Sequence, residues 1–528
     1  MKPSHQAIDR PVNNGMLVLD YGSQYTLLIA RRLRELAVYS EVIDGHTGIE
    51  PEGYEVKGFI LSGGPDSVYD IGSRRIPEWV MSSGKPILGI CYGMQLLVER
   101  FKGELRGGKG REYGKAELNL KPEVKGPAGR MFYGLPVTQT VWMSHGDDIR
   151  VIPSCLDAAG YSADGVVAAV IHKELPIVGL QFHPEVNHSE YGMTMLKNFT
   201  FDVCRAKANW DSGCMLDATT KYIKETVGSG HVLVACSGGV DSTVTAALLS
   251  KALGPDKVTA VFCDTGLMRK DEVTWVAGAL KVLGLKHIEV LDSKNKFLSL
   301  LKGVVDPEQK RKIIGRTFIE EFEAFAKGHK DEFTHLGQGT LYPDVIESAG
   351  HGAGSKVIKS HHNVGGLPET LALSLVEPLR FLFKDEARVL GEKLGLPHDM
   401  VWRHPFPGPG LAVRILGDIN EDDLKILREA DDVFIKALRE FKLYETVWQA
   451  FAVLLPVKSV GVMGDNRTYQ KTIALRAVNS VDAMTATVCD LPFEFLTHVA
   501  ADIVKKVNGV NRVVYDITTK PPATIEWE

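Results

Sequence analysis

His231-Val-Leu-Val-Ala-Cys-Ser-Gly-Gly-Val-Asp-Ser-Thr243, running on into Val-Thr-Ala-Ala-Leu-Leu-Ser-Lys-Ala-Leu253, is the stretch whose reading decides the fold. Its valine-rich start reads as a buried strand, Ser237-Gly238-Gly239 breaks the run, and the Ala/Leu-rich continuation has helical spacing. Strand, loop and helix in that order form one unit of an α/β fold. Adjacent glycines let backbone N–H groups approach an oxyanion closely, Ser237, Ser242 and Thr243 add hydroxyl donors, and the helix N-terminus contributes partial positive charge. Such a turn cradles a phosphate or pyrophosphate. Asp241 would repel a bare phosphate, so its presence makes sense if Mg2+ accompanies the nucleotide. Ser-Gly-Gly alone would equally be a tight turn with a helix cap; the whole string behind a strand is far more specific.

No Gly-x-x-x-x-Gly-Lys-Ser/Thr string occurs in the chain, so the loop belongs to another nucleotide-binding class. Ser237-Gly238-Gly239-Val240-Asp241-Ser242-Thr243 resembles the pyrophosphate loop of ATP pyrophosphatases. That resemblance implies a reaction that adenylates an oxygen and releases pyrophosphate, with these seven residues on ATP and Asp241 on the metal. A second strand, Val258-Thr-Ala-Val-Phe-Cys-Asp-Thr-Gly266, is expected to end beside the first. Val261 would then line the adenine and ribose, although it is also an ordinary core-strand residue. Lys384 opens a helix whose start favours acids, so it either reaches for phosphate or is a plain surface lysine.

A chain of 528 residues suggests about three domains at roughly 150 residues each. Charged residues make up 24% and hydrophobic ones 44%, an ordinary globular balance. The net charge of -5 offers no general attraction for nucleic acid or anionic membranes. Seven scattered cysteines show neither metal-type spacing nor a disulfide framework, which suits reduced thiols in the cytoplasm. The opening Met1–Pro11 lacks an apolar segment of the secretory kind, and no later run is long and apolar enough to span a bilayer. The expectation is a soluble cytoplasmic enzyme.

In the amino-terminal third, Met16–Asp20, Gly58–Leu61 and Pro86–Ile90 read as strands alternating with helices, one of them over Leu27–Leu36. This predicts a parallel sheet with loops gathered at its carboxyl edge. Gly89-Ile-Cys91-Tyr-Gly93 has the Gly-x-nucleophile-x-Gly form of a nucleophile elbow, and a helix N-terminus there favours a reactive thiol. Taken alone, Cys91 would be read as a buried structural cysteine. Downstream, Val178-Gly-Leu-Gln-Phe-His183-Pro-Glu185 supplies a histidine with an acid two residues on, and residues two apart in extended chain face the same side. Glu185 can therefore brace His183 while His183 serves as base to the thiol. Cysteine elbow and braced histidine together resemble the class I glutamine amidotransferases. The resemblance implies that Cys91 attacks the glutamine amide, His183 moves protons and Glu185 positions the imidazole. It places the oxyanion on the backbone N–H of Tyr92 and one from the Ser62-Gly63-Gly64 loop. Gln95, and Ser144 and His145 within Trp142–Asp147, match its glutamine pocket.

Trp402-Arg-His-Pro-Phe-Pro-Gly-Pro-Gly-Leu-Ala-Val-Arg414 has too many aromatic and basic residues for a flexible linker and reads as a shaped loop. With Lys310-Arg-Lys-Ile-Ile-Gly315, Val460-Gly-Val-Met-Gly-Asp465 and Lys520-Pro-Pro-Ala-Thr-Ile-Glu-Trp-Glu528, it makes the whole chain resemble the family of glutamine-hydrolysing GMP synthases. Read by itself, the basic cluster at Lys310 is as readily a solvated charged face as a ligand site. The family implies two consecutive parallel-sheet α/β domains, an amidotransferase over 14–207 and an ATP pyrophosphatase over 208–403, then a small α+β dimerisation and XMP-binding domain over 404–528. It implies XMP contacts at Arg311, Asp465, Gln470, Lys520, Ile525 and Glu526, the substrates glutamine, ATP and XMP, and a homodimer. The expected partners include neither nucleic acid nor membrane. Competing readings keep the adenylation but change the acceptor to an NAD or asparagine precursor or a tRNA base, or make the chain a nucleotide-sensing protein with an inactive amidase. The first two lack the carboxyl-terminal strings, a tRNA needs a basic surface, and an intact Cys91, His183 and Glu185 speak against the last.

Overall fold

A computed structural model describes residues 10–48, 50–329, 332–349, 373–463, 466–480 and 485–528. The chain forms two compact units that meet in sequence between Ala218 and Thr219.

Among the described residues of the first unit, the strands are β1 (Asn14–Asp20), β2 (Ser40–Asp44), β3 (Glu55–Leu61), β4 (Ile87–Ile90), β5 (Glu104–Leu120), β6 (Thr138–Val151), β7 (Leu156–Ser162), β8 (Val167–His172) and β9 (Ile177–Leu180). They form one nine-stranded sheet in the order β2-β1-β3-β4-β9-β8-β7-β5-β6. The half from β2 to β9 is parallel, as expected, and an antiparallel half extends it. Strand β2, between the strands anticipated at Met16 and Gly58, hides its signal because it carries a buried acid: Glu41 is 2% exposed and paired with Arg10. The short apolar β4 is buried throughout, as a central parallel strand must be. Its register sets Leu61 opposite Gly89 and Ile90 opposite Leu180. The segments that follow β3, β4 and β9 therefore leave the sheet side by side at its carboxyl edge.

The second unit holds a parallel sheet of β10 (Val232–Cys236), β11 (Val258–Asp264), β12 (His287–Asp292), β13 (His335–Gly337) and β14 (Ser374–Val376) in the order β12-β11-β10-β13-β14. The chain steps from β10 to β11 on one side and later to β13 on the other, so the end of β10 lies at a topological switch point, where α/β sheets bind ligands. A further sheet joins β15 (Gln449–Met463), β16 (Asn466–Asn479), β17 (Thr487–Val488) and β18 (Val510–Tyr515). Against it packs the helix Glu421–Glu440, capped by the Asn420 side chain, which accepts from the Asp423 N–H, and opened by three acids that suit the helix dipole. Its apolar face, Leu424, Leu427, Phe434 and Leu438, shares one core with Leu267, Phe297 and Ile314 from the segments around the parallel sheet and Leu475 and Phe495 from the carboxyl-terminal segments.

Candidate active site

Cys91 sits between β4 and the helix Tyr92–Arg100 with φ 51° and ψ −108°, a conformation that non-glycine residues rarely adopt. Both flanking glycines are required by space. A Cβ on Gly89 would lie 2.6 Å from the Gly93 carbonyl carbon, and one on Gly93 would lie 2.3 Å from Leu61 O. The strained turn exposes 6% of Cys91, and its thiol donates to Ser144 O at 3.3 Å. From the end of β9, His183 Nδ1 lies 2.7 Å from Glu185 Oε1, with both side chains buried. Burial by itself lowers the His183 pKa, but the Glu185 charge and the hydrogen bonds to Cys91 and Glu185 outweigh it and raise the imidazole to about 10. The His183–Glu185 pair thus stands beside the Cys91 thiol, with the carboxylate holding the imidazole in place.

The loop after β3 closes on the same place. A Cβ on Gly63 would approach His183 Cε1 at 3.4 Å, and one on Gly64 would meet Tyr21 O at 2.6 Å. Gly93 N–H donates to Ser62 O at 3.1 Å, tying this loop to the elbow. The Tyr92 N–H, in the first helical turn, has no acceptor within its own helix, whereas the Tyr92 hydroxyl turns away to Arg74 O at 2.9 Å. Gln95 donates to Asp147 O at 3.2 Å. Ser144 meets Cys91 through its carbonyl, and the buried His145 ring engages Asp147 O at 3.1 Å and Glu112 at 3.4 Å. Gln181, 0% exposed, places Nε2 3.7 Å from Cys91 Sγ and was not singled out from the sequence. Its signal was available, since it precedes His183 by two in extended chain.

In the second unit the loop after β10 turns at Gly238, φ 78°, into the helix Val240–Leu253. Ser237 Oγ and Ser242 Oγ lie 3.3 Å apart, while Ser242 and Thr243 hydroxyls donate to Gly239 O at 3.1 and 2.9 Å. Lys384 Nζ lies 3.4 Å from Asp241 Oδ2, so the lysine faces the loop. Asp241 Oδ1 is buried with no hydrogen-bond partner among the described residues. A buried carboxylate oxygen left over beside a phosphate cradle fits Mg2+, which takes one or two carboxylates and completes its shell with phosphates and water. Among the described residues no cluster of three His, Cys, Asp or Glu could hold a metal without such help. Val261 is 1% exposed and belongs to the core with Leu233 and Phe322. Arg403, unanticipated, donates to Gly238 O at 2.7 Å and pairs with Glu272, holding the loop from below.

Arg311 lies on the helix Pro307–Gly328 and bonds to Glu528 O. Its neighbour Lys310 corrects the reading of this cluster as a solvated face: it is 0% exposed and bonded to Ile415 O at 2.7 Å, Ala412 O at 3.4 Å and the Glu528 carboxylate. Glu526 pairs with Arg414 at 2.9 Å, and Ile525 O accepts from Arg476 at 2.8 Å. Lys520 pairs through its backbone with Ala486. Gln470, on β16, leaves Oε1 buried without a partner among the described residues. Asp465 lies outside the described residues.

Residues 17–203 match the family model described as glutamine amidotransferase class-I, 214–309 that described as NAD synthase, and 436–527 that described as GMP synthase C terminal domain. A protein of Lactobacillus acidophilus is 50% identical over 515 residues, 97% of this chain and 98% of its own. One of Mesoplasma florum is 50% identical over 518 residues, covering 98% and 100%, and one of Aquifex aeolicus is 51% identical over 520, covering 97% and 99%. All three carry the name glutamine-hydrolyzing GMP synthase.

Proposed function

The chain belongs to the family of glutamine-hydrolysing GMP synthases, and on that premise we propose how its residues divide the work. The enzyme takes nitrogen from glutamine and uses ATP to convert XMP to GMP. In the first unit Cys91 Sγ attacks the side-chain amide carbon of glutamine as a thiolate, its proton already on His183, whose raised pKa keeps the ring protonated at neutral pH. The oxyanion is met by the Tyr92 N–H and an N–H of the Ser62–Gly64 loop. His183 then protonates the departing nitrogen, and as base it activates the water that splits the γ-glutamyl thioester to glutamate. Glu185 keeps the imidazole oriented throughout.

In the second unit the C2 oxygen of the purine attacks the α-phosphorus of ATP and pyrophosphate leaves. Ammonia adds at C2, AMP departs, and GMP remains. Backbone N–H groups and hydroxyls of Ser237–Thr243 hold the phosphates, with Lys384 adding positive charge. Asp241 would hold Mg2+, which neutralises charge on the phosphates when bound. Arg311, Asp465, Gln470, Lys520, Ile525 and Glu526 would bind XMP. The enzyme works as a homodimer: Val457, Val460 and Val462 on β15 and Tyr469 on β16 are 46–76% exposed, an apolar hairpin suited to a second copy. Seven free thiols suit the cytoplasm.

The observation that carries this reading is Cys91 at φ 51° beside a His183–Glu185 pair at 2.7 Å. Pyrophosphate release from Mg-ATP tests the acceptor: it should require XMP and fail with IMP. Equal release with either nucleotide would refute the assignment.

A further inference from the structure

Three cations of the second unit, Lys310, Arg414 and Arg476, are each 0% exposed. A buried cation is costly unless acceptors or counter-charges face it, so where three of them point is informative, although Arg414 Nη1 has no hydrogen-bond partner among the described residues and lies 4.0 Å from Asp431 Oδ1. Each sends at least one hydrogen bond or ion pair into the stretch from Asp516 to Glu528. Arg476 donates to Thr518 O and Thr524 O at 2.9 Å and to Ile525 O at 2.8 Å, and Lys310 bonds to Glu528. Arg414 forks onto Glu526, Nε to Oε2 at 3.1 Å and Nη2 to Oε1 at 2.9 Å. Its guanidinium is wedged between the Phe451 ring at 4.1 Å and the Phe406 ring at 5.1 Å.

Glu526 keeps one capacity unused. Its Oε1 accepts from both Arg414 and Gln449, the latter at 2.8 Å, and its Oε2 from Arg414 alone. A carboxylate offers about four acceptor positions, two on each oxygen, so a position on Oε2 stays open among the described residues. Glu526 retains 17% side-chain exposure, which lets that position be reached. An acceptor takes an O–H or N–H donor and repels a phosphate. The nucleoside part of XMP offers such donors.

We propose that Arg414 is a positioning residue for XMP: by gripping Glu526 in a two-pronged geometry, it aims the open lone pair of Oε2 at a hydroxyl or N–H of the nucleoside. This rests on Glu526 belonging to the XMP site. The string that carries Arg414 is itself held at its other end, where Arg403 donates to Gly238 O of the ATP loop, and midway by Leu411 N–H to Leu267 O at 2.8 Å. Arg414 therefore fixes Glu526 relative to the loop that holds the second substrate.

Arg414→Lys tests it, because lysine keeps the charge but cannot form the fork. In the full-length enzyme, with pyrophosphate release as readout, the KM for XMP should rise tenfold or more while the KM for ATP stays within twofold. Arg414→Gln, whose amide can donate to only one carboxylate oxygen and so also breaks the fork, should raise the KM for XMP in the same way, and it decides the matter if Arg414→Lys does not fold. An unchanged KM for XMP in the folded variants, or equal rises for both substrates, overturns the proposal. Glu526→Gln separates the two failures. If it leaves the KM for XMP unchanged, Glu526 is no XMP ligand and both readings fall; if it raises that KM and Arg414→Lys does not, only the positioning role falls.

Discussion

Glu185→Gln isolates what one charge does for the amidase. The carboxylate is 1% exposed and its Oε1 stands 2.7 Å from His183 Nδ1. At an effective dielectric of about 20, opposite unit charges roughly 3 Å apart attract by about 5 kcal/mol. At 1.36 kcal/mol per power of ten, removing that attraction weakens proton binding by roughly three to four powers of ten. The His183 pKa, held at about 10 against an ordinary 6.5, should therefore fall to or below the ordinary value, because burial still opposes the charged ring. The variant then lacks, at neutral pH, the imidazolium that protonates departing nitrogen, and glutaminase kcat/KM should drop by about 10²–10⁴. Glutamate release in the presence of Mg-ATP and XMP measures it, with GMP formation from ammonium as control, expected to stay within twofold. The pH dependence has a definite sign. A raised folded pKa makes the pair's stabilisation complete below about 6.5 and lost as pH rises through about 10, so wild-type stability should decline across that window and the variant's should not. Retention of a third or more of wild-type glutaminase, or a parallel loss of ammonium-driven synthesis, would refute the reasoning.

Gly93→Ala forces a Cβ to 2.3 Å from Leu61 O, and overpacking of this kind costs about 1–3 kcal/mol; a thermal melt should show a lowered Tm together with impaired glutaminase. Asp241→Asn removes the charge whose Oδ1 has no protein partner among the described residues. It should cut pyrophosphate release at least about a hundredfold, with the half-maximal Mg2+ concentration shifted upward. Glu528→Gln leaves the buried Lys310 without its counter-charge, a loss of about 3–5 kcal/mol in denaturant unfolding. The paired replacement Lys310→Met with Glu528→Leu should recover most of it.

What the sequence reveals tracks how local each feature is. The cysteine elbow, the His183–Glu185 brace and the Ser237–Thr243 loop each lie within a few consecutive residues, where glycine placement and the two-residue period of extended chain carry the geometry directly. Lys310 looks solvated because its neighbours are charged; its counter-ion, Glu528, is 218 positions away and only the folded core brings them together. Arg403 and Gly238, 165 apart, and Arg414 and Glu526, 112 apart, are hidden for the same reason. The antiparallel half of the first sheet leaves little signal in the sequence because β5 mixes charged residues with glycines and is only partly buried, giving no clean apolar alternation. Gln181 is marked only by its position relative to His183, since glutamine carries no intrinsic catalytic signal.

The most direct test of two chemistries on one chain is product analysis of the Cys91→Ala enzyme given Mg-ATP and XMP. With ammonium it should yield GMP, AMP and pyrophosphate in equal amounts, and with glutamine in place of ammonium no GMP at all. ADP in place of AMP, or failure to make GMP from ammonium, would contradict the account.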